Sequence, residues 1–336
     1  MKRAGYAAFL LGIGLLAFLA LRANWPVLLH ALASLGPSGL LVLVALHLPV
    51  IAAAGLAWWY FGRKLPHASL SGFVRARHVR DSVGAALPFS QIGGFAAGIR
   101  VLALSRVPAV GSGLSMFADL VAEFASLFPY IAIGLVVLAT LAPSSGLLRP
   151  FAIGTAVTMV AMIVAGLEHR RVARRLRAHA GKLISRFAGS NFASGIGRSP
   201  GAISLSPRAV AANVSLHFGR WAIGAFETWV AFRLMGVPVS PGQALVVDCM
   251  ASALRIFAFM VPAAIGVQEG VYVLVCGTVG LSPAIALAFS FIWRARDLVI
   301  GFLGLALWHA EEARAATGRI GGDRDGLLAS TITGRR

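Results

Sequence analysis

The chain has 336 residues, of which 58% are hydrophobic and 12% are charged, and its formal net charge is +18. Apolar runs of about 18 residues or more recur along its length, which is typical of membrane-spanning helices. This composition excludes a soluble protein of two or three domains and predicts an all-α, polytopic membrane protein with about six to eight spanning helices. The two cysteines, Cys249 and Cys276, lie in apolar segments and indicate neither a disulfide framework nor a metal cluster.

The first apolar run follows Lys2 and Arg3, as the core of a signal peptide would. The run is long for a signal peptide, and the "RANW" that follows is a poor cleavage site, so we interpret it as a retained helix. Seven further apolar runs follow. In order, the eight runs are at about 4–21, 38–61, 113–140, 150–167, 209–235, 242–261, 262–281 and 283–308.

The basic residues are distributed unevenly between the segments that join these runs. When the N-terminus is placed inside and the chain is threaded through the membrane, 23 basic residues fall on the cytoplasmic side, whereas only Arg22 and Arg149 fall outside. Cytoplasmic loops of membrane proteins carry such an excess of lysine and arginine. We therefore expect a multi-pass protein of the bacterial inner membrane with both termini in the cytoplasm, and no nucleic-acid partner.

This threading requires residues 68–105 to enter and leave the membrane on the cytoplasmic side. Within them, "RDSVGAALPFSQIGG" is too polar and too broken by Pro88, Gly93 and Gly94 to face lipid, and Gln91 lies inside the break. Irregular backbone at membrane depth is tolerated only where protein or water surrounds it. We predict a re-entrant hairpin with its breaks at these residues.

The same arrangement recurs when the sequence is aligned with itself so that Pro88 falls on Pro262. In this repeat alignment Glu123 falls on Asp297, and Gly93 falls just past Gly266. Each half reads as a helix, a Pro/Gly-broken hairpin and a helix with an acid at mid-membrane, and the threading gives the two halves opposite orientations. Such inverted repeats indicate a transporter. Chance self-alignment is the alternative, because few residues are identical.

These features divide the chain into six segments. They are a first membrane helix and outer loop (1–37), repeat half one (38–140), a linking membrane helix (141–167), a basic cytoplasmic loop (168–208), repeat half two (209–308) and a cytoplasmic tail (309–336) that we expect to be disordered. Residues 168–188 place apolar side chains on one helical face and arginines elsewhere. Such a helix suits anionic lipid headgroups, and an ordinary positive-inside loop fits equally well.

Ionisable side chains lie inside the apolar runs, where each costs about 2.5–3.5 kcal/mol at a helix centre. Asp119 and Glu123 are one helical turn apart in "MFADLVAEFASLF" and repel each other unless a cation lies between them. We favour a hydrated substrate groove lined by these acids; the alternative is a structural ion pair with Arg220 or Arg255. Elsewhere, Arg294 and Asp297 form a candidate pair three residues apart. The full predicted groove set is Asp119, Glu123, Arg220, Glu227, Asp248, Arg255, Glu269, Arg294 and Asp297.

No catalytic constellation accompanies these charges. The eight histidines are scattered without metal-ligand spacing, and "GVQEG" lacks the lysine and the strand of a phosphate loop. We therefore expect a protein that is not an enzyme and that uses neither a metal nor a cofactor.

Three stretches resemble a known family: "RDSVGAALPFSQIGG", "FADLVAEF" and "VPAAIGVQEGVYVLVCGTVGLSPAIALAFSFIWRARDLVIGFLGL". Over about residues 38–308 the chain resembles the lysylphosphatidylglycerol synthase transmembrane-region family of flippase-like proteins, and within it a branch associated with hopanoid biosynthesis. The resemblance implies an all-helical domain with re-entrant segments that passes a lipid between leaflets. We expect no lipid lysylation, because the soluble aminoacyl-transferring domain of some relatives does not follow the last helix here. The chain departs from the branch pattern at Phe95 and Gly98, which replace an acid and a basic residue.

Two functions fit these observations. The first is a lipid translocator that carries a phospholipid or hopanoid headgroup through a polar groove while the apolar parts stay in lipid. The second is a non-transporting scaffold or accessory protein that assists lipid-modifying enzymes. An intramembrane enzyme is disfavoured, because no nucleophile and base occur at a sequence spacing that is typical of a catalytic site.

Overall fold

A computed structural model describes residues 14–15, 17–19, 21–22, 24–86, 91–167, 203–255 and 265–333. Side chains are described in these ranges except at 86, 91–92, 162–163, 165–167, 255 and 317–333. Helices account for nearly all of this part of the chain, and it contains no strand, so the predicted all-α class is confirmed. From Trp25 onward the helices are α1 (Trp25–Gly62), α2 (Leu70–Ala86), α3 (Gln91–Leu104), α4 (Ala109–Leu141), α5 (Leu148–Leu167), α6 (Pro207–Leu234), α7 (Pro241–Arg255), α8 (Val267–Thr278) and α9 (Pro283–Thr333).

Three of these helices start at a Ser–Pro dipeptide. In α6, α7 and α9 the serine Oγ accepts a hydrogen bond from the backbone N–H three residues later, at 3.3, 3.2 and 3.4 Å respectively. Serine is a favoured N-cap, and proline fits the first helical position because its missing N–H needs no partner there. Gly236 and Gly280 end α6 and α8 in the left-handed region, with φ of 74° and 82°. The local sequence therefore determines these helix boundaries.

Two helices of the described part, α1 and α4, are long and apolar enough to cross a bilayer. Shorter apolar helices are formed by Gly93–Leu104 and Leu148–Ala161. Helix α1 is kinked at Gly36, where φ is 58°, and its continuous apolar part therefore begins where the run 38–61 was predicted. Helix α8, with 12 residues, is too short to cross a core of about 30 Å.

In the regions of the two predicted hairpins, α2 packs against α3, and α7 packs against α8. Of the predicted break residues, Gln91, Gly93 and Gly94 lie in the first turn of the described α3, and Gly266 is at the N-cap of α8. Pro88 and Pro262 lie outside the described residues. Re-entry from the cytoplasmic side stays a prediction.

The helix boundaries also recur in the repeat alignment. The end of α3 at Leu104 falls on Thr278, the end of α8, and the start of α4 at Ala109 falls on Pro283, the start of α9. Contacts between the two halves are reciprocal, because α4 packs on α6 and α7, whereas α9 packs on α1 and α2. Reciprocal contacts are the pattern of two equivalent units related by a two-fold axis. These helix ends and contacts fit the repeat alignment, and the opposite orientation of the two halves stays a prediction.

A glycine allows α4 and α9 each to lie close to a helix of the other half. A Cβ at Gly134 in α4 would lie 1.9 Å from the Sγ of Cys249 in α7. A Cβ at Gly304 in α9 would lie 2.0 Å from the Oγ of Ser82 in α2. Small residues allow membrane helices to approach closely, and the two halves use them at equivalent interfaces.

Aromatic side chains fill much of the core between α6, α8 and α9. The ring of Phe289 stacks on Phe232 and on Trp293, with centroids 4.5 and 4.6 Å apart, and Tyr272 meets it edge-on at 5.0 Å. Pairs in these geometries add stability beyond the area that they bury. This packing fixes α6 and α9 relative to each other and thereby positions the polar residues that both helices carry.

The prediction of a disordered tail after Trp308 is wrong, because α9 continues to Thr333. Glu311 pairs with Arg75 of α2 at 3.0 Å, and Glu312 pairs with Arg100 of α3 at 2.8 Å. These pairs hold the extension of α9 against the first hairpin, which its polar composition alone did not reveal. The predicted interfacial helix at 168–188 lies outside the described residues.

Candidate functional site

Asp119 is the centre of a polar cluster between α2, α4 and α6. Its side chain is fully buried, and its Oδ2 accepts a hydrogen bond from Nη1 of Arg77 at 3.1 Å. Its Oδ1 accepts from Nδ2 of Asn213 and, in the tautomer that donates, from Nε2 of His217, both at 2.9 Å. A buried carboxylate is stable only when it is paired and hydrogen-bonded in this way. Asp119 therefore lines no open groove in this structure.

Glu123 lies one turn further along α4 and is bound by two arginines. Nη2 of Arg77 donates to both of its carboxylate oxygens at 3.1 Å, and Nη2 of Arg220 donates to its Oε1. The side chains of Glu123 and Arg220 are 15% and 14% exposed. One end of the polar cluster is therefore reachable from outside the protein, whereas the end at Asp119 is closed.

Arg77 joins the two acids and was missed by the sequence reasoning, which counted it only as a cytoplasmic charge. Its Nε also donates to Oδ2 of Asp81 at 2.6 Å, so one guanidinium binds three carboxylates. The local signal was the four-residue spacing of Arg77 and Asp81 on one face of α2. The partnership with Asp119 and Glu123 could not be read from sequence, because it depends on how the hairpin packs. Of the two partners that were predicted, Arg220 binds Glu123, and the side chain of Arg255 lies outside the described part.

Asp119, Glu123 and His217 each place one ligand atom within 4.8 Å of the others, a spacing that could hold a metal ion. Their carboxylate oxygens are already hydrogen-bonded to the guanidinium groups of Arg77 and Arg220. These guanidinium groups supply the positive charge that the two acids require, so we assign no metal to the cluster.

An apolar groove of about 520 Å³ lies between α4, α6 and α7 and shares Tyr130 with the polar residues around it. Tyr130 stacks on Trp221 with centroids 6.0 Å apart, and the guanidinium carbon of Arg220 lies 4.3 Å from the Trp221 ring. Nε1 of Trp221 donates to Oγ of Ser126 at 3.0 Å, one turn from Glu123. The lining of the groove is Tyr130, Ile133, Phe218, Ala222, Ala225, Phe226, Trp229, Pro241 and Leu245. The groove therefore adjoins the open end of the cluster.

A second buried cluster surrounds Glu227 of α6. Nη1 of Arg296 donates to its Oε2 at 2.7 Å, and Nδ1 of His47 lies 3.1 Å from both carboxylate oxygens. Arg296 also binds Asp297 at 2.7 Å, whereas the predicted partner of Asp297 was Arg294. The long arginine side chain reaches its neighbour in sequence, so the three-residue spacing did not determine the pairing. This cluster ties α1, α6 and α9 together.

Glu269 and Asp248 form two further sites. Glu269 is buried in the first turn of α8, where its Oε1 accepts from Nη2 of Arg294 at 2.7 Å. Asp248 of α7 accepts hydrogen bonds from the hydroxyl of Tyr130 at 2.7 Å and from Oγ1 of Thr228 at 3.2 Å. Both acids are thus bound by groups from other helices.

One family model matches residues 6–304 of the chain, and the family is described as "Lysylphosphatidylglycerol synthase TM region". The chain belongs to this family. No curated protein and no solved structure matches it. As a member of the lysylphosphatidylglycerol synthase transmembrane-region family with apolar, membrane-length helices, it is a membrane protein of lipid metabolism or transport.

In this family member the predicted groove residues do not form one continuous surface. The structure distributes the eight of them whose side chains it describes over four sites, around Asp119 and Glu123, around Glu227, around Glu269, and around Asp248. Only the first site combines several charges with an exposed edge and a neighbouring apolar groove. That site is therefore the candidate for binding a lipid.

Proposed function

We propose that this member of the family moves a lipid of the phospholipid or hopanoid type between the leaflets of the bacterial inner membrane, without changing it chemically. The observation that supports this is the adjacency of a partly open charged pair, Glu123 and Arg220, and an apolar groove beside α4. A membrane lipid carries a polar headgroup and apolar chains, and a site for it must satisfy both. Each part of this site suits one part of a lipid.

The groove supplies the apolar part of the site. Phe218, Phe226 and Trp229 of α6 and Ile133 of α4 line it, so a hydrocarbon chain would contact carbon on both sides. Ligand sites of this kind are mostly apolar, with a few polar groups that fix orientation. Arg220 and Glu123 reach its wall through Trp221, which contacts Arg220, stacks on the lining residue Tyr130 and donates to Ser126, one turn from Glu123.

The arrangement of the chain in two halves offers a way for the protein to move a lipid. The charged cluster takes Arg77, Asp119 and Glu123 from the first half and His217 and Arg220 from the second. Rocking of one half against the other is the usual alternating-access movement of repeat transporters. Such a movement would open and reform the ion pairs that cross between the halves. Re-entrant hairpins and cytoplasmic termini belong to this proposal.

Reconstitution tests the proposal directly. Purified protein is placed in vesicles that contain a fluorescent phosphatidylglycerol analogue, and transfer between leaflets is followed by quenching with dithionite. We expect wild-type protein and Glu312→Gln to accelerate transfer, because Glu312 is a surface acid of α9 that pairs with Arg100 of α3. Glu123→Gln should not.

A wild-type protein that moves neither phosphatidylglycerol nor a hopanoid faster than empty vesicles would refute transport. That result would favour the scaffold or accessory role, in which the protein assists lipid-modifying enzymes.

A further inference from the structure

His47 of α1 binds a buried carboxylate from the other half of the chain. Its Nδ1 lies 3.1 Å from both carboxylate oxygens of Glu227 in α6. An ionised carboxylate only accepts hydrogen bonds, so Nδ1 carries a hydrogen and donates it. The Nε2 of His47 has no hydrogen-bond partner among the described residues, and the side chain is 21% exposed, whereas that of Glu227 is 1% exposed. Nε2 is therefore the atom that can take up a proton from outside the protein.

The charges of the Glu227 cluster do not balance when His47 is neutral. Nη1 of Arg296 donates to Glu227, while Nε and Nη2 of the same guanidinium donate to Asp297 at 3.0 and 2.7 Å. Two carboxylates thus share one guanidinium, which leaves the cluster with a net charge of −1. One proton on His47 brings the net charge to zero. Because unbalanced charge inside a membrane is costly, the cluster favours uptake of a proton.

The histidine of the other cluster lies among charges that already balance. His217 contacts Asp119, and both side chains are 0% exposed. Around these residues three guanidinium groups face three carboxylates, so the charges cancel while His217 is neutral. The residues are Arg77, Arg80, Arg220, Asp81, Asp119 and Glu123. A proton on His217 would add an uncompensated charge to a closed site. Of the two histidines, His47 is therefore the one suited to bind a proton.

The helices packed against α1 carry other charged and titratable side chains, but Glu227 alone among them contacts His47 in the described part of the chain. The others in this region are His217 and Arg220 on α6, Arg77, His78, Arg80 and Asp81 on α2, Asp119 and Glu123 on α4, and Arg294, Arg296 and Asp297 on α9. His78 is engaged elsewhere, because its Nε2 donates to the carbonyl oxygen of Ile300 at 3.0 Å. The Glu227 cluster therefore supplies the charge that His47 meets directly.

His47 also lies where proton binding can be linked to movement. It is ten residues past Pro37, about 15 Å along the continuous apolar part of α1 and near the middle of a core of about 30 Å. His47 belongs to the first half of the chain, whereas Glu227 and Arg296 belong to the second. A movement of one half against the other would separate His47 from its counter-charge and weaken its hold on the proton. Since linkage is reciprocal, binding of the proton would favour the arrangement in which the two residues touch.

We propose that His47, held by Glu227, is a proton-binding site, and that one proton is bound and released there as a lipid crosses the membrane. The proton comes from water and binds the lone pair of Nε2, while the hydrogen on Nδ1 stays on Glu227. It returns to water when the contact between His47 and Glu227 opens. Histidine gains and loses a proton near neutral pH, and ionisable residues inside membrane helices are typical of proton relays. The coupling to lipid movement rests on the proposed function, whereas the proton site does not.

Nitrogen NMR of protein with isotope-labelled histidine, purified in detergent, tests the site. The signal of His47 is identified by its loss in His47→Gln. Between about pH 5 and 8 we expect this signal to change from that of the charged ring to that of the neutral ring with its hydrogen on Nδ1. A signal that stays the same over this range would overturn the site.

Asp297→Asn gives a second test of the site, and it identifies the signal if His47→Gln does not fold. This change removes one of the two negative charges at a side chain that is 42% exposed. His47 should then bind its proton about three- to tenfold less tightly, because less negative charge surrounds it. Unchanged proton binding in Asp297→Asn would contradict the charge balance on which the site rests.

Reconstituted vesicles test the coupling. Leaflet transfer of the fluorescent phosphatidylglycerol analogue is measured with and without an imposed pH gradient. We expect the gradient to change the transfer rate of wild-type protein severalfold and to leave that of His47→Gln unchanged. The matched control is His30→Gln, because His30 is an exposed histidine of the same helix, and it should respond as wild-type protein does.

The outcomes separate the site from the transport. Wild-type transfer that ignores the gradient, in protein whose His47 signal changes with pH, would overturn the coupling and support the site. A wild-type protein that transfers no lipid at any pH, with the same change in the His47 signal, would refute transport and the coupling together, but not the site.

Discussion

Arg77 and Asp119 bind each other at 3.1 Å across the interface between the first hairpin and the membrane-length helix α4, with side chains 3% and 0% exposed. Each is therefore the other's buried counter-charge. The pair explains how a carboxylate is retained in an apolar helix, where an unpaired charge is costly. It also means that the hairpin and α4 cannot separate without exposing both charges to water or lipid.

Removal of this arginine should destabilise the protein strongly. Arg77→Gln leaves Asp81, Asp119 and Glu123 without a shared partner, and breaking a buried pair costs about 3–5 kcal/mol. The control Arg75→Gln, two residues away, removes an arginine that is 36% exposed and has Glu311 as its partner. It should cost at most about 1 kcal/mol. Thermal unfolding in detergent measures both, and equal losses would contradict the buried pairing.

The two carboxylates that share Arg296 should differ in the same way. The side chain of Glu227 is 1% exposed, and that of Asp297 is 42% exposed. Glu227→Gln should therefore lower stability by about 3 kcal/mol or more, whereas Asp297→Asn should change it by less than about 1 kcal/mol. Denaturant unfolding measures the stability of the two variants. A larger loss of stability for Asp297→Asn would contradict this expectation and would show that Asp297, which aligns with Glu123 in the repeat, is the carboxylate that stabilises the fold.

Helix positions were accessible from the sequence because they depend on local signals. The Ser–Pro dipeptides of α6, α7 and α9 lie at the starts of predicted apolar runs, and these helices begin within a few residues of the predicted starts at 209, 242 and 283. The repeat was also visible locally, in the equivalent positions of Pro88 and Pro262. Continuation of α9 past Trp308 was not, because it depends on Glu311 and Glu312 meeting arginines of distant hairpin helices.

Which charged residues bind each other was much harder to predict from the sequence. The candidates were chosen as residues that need partners, and Arg220, which was named as a partner for the acids Asp119 and Glu123, binds Glu123. The sequence could not show that Arg77 lies between the acids or that Arg294 binds Glu269, because each contact joins two different helices and depends on how those helices pack. Residue type predicts the need for a partner, whereas packing determines which partner is met.

Close contact between α9 and α2 can be tested with two glycines one turn apart. A Cβ at Gly304 would lie 2.0 Å from Oγ of Ser82, whereas a Cβ at Gly301 would meet nothing within 4 Å. Gly304→Ala should therefore cost about 1–3 kcal/mol by overpacking. Gly301→Ala should be neutral or stabilising by up to about 1 kcal/mol. Ser82→Gly should recover part of the loss in the double variant, and an additive double variant would mean that the two residues do not touch.

The predicted threading can be tested at Ser194 in the basic loop. A membrane-impermeant maleimide added to intact spheroplasts should not label Ser194→Cys, and it should label the variant after the membrane is broken. The native thiols, Cys249 and Cys276, are buried and give little background. Labelling of the intact spheroplasts at Ser194 would show that the loop faces outward and would refute the assignment of cytoplasmic termini.

Substitutions of Asp119 and Glu123 should have different effects, although the two residues are one turn apart on α4: the first should mainly lower stability, and the second should mainly abolish transport. Asp119→Asn keeps the shape of the side chain but leaves the buried Arg77 with less counter-charge, so it should lower stability by about 3–5 kcal/mol and reduce expression. Glu123→Gln leaves Arg77 bound to Asp81 and Asp119, and Arg220 can reach water, so it should cost less than about 2 kcal/mol. Its lipid transfer should nevertheless be lost, because the charge at the open end of the cluster is gone. Unfolding and leaflet transfer are measured on the same preparations. Stable Glu123→Gln protein with wild-type transfer would show that this carboxylate lies outside the path of the lipid.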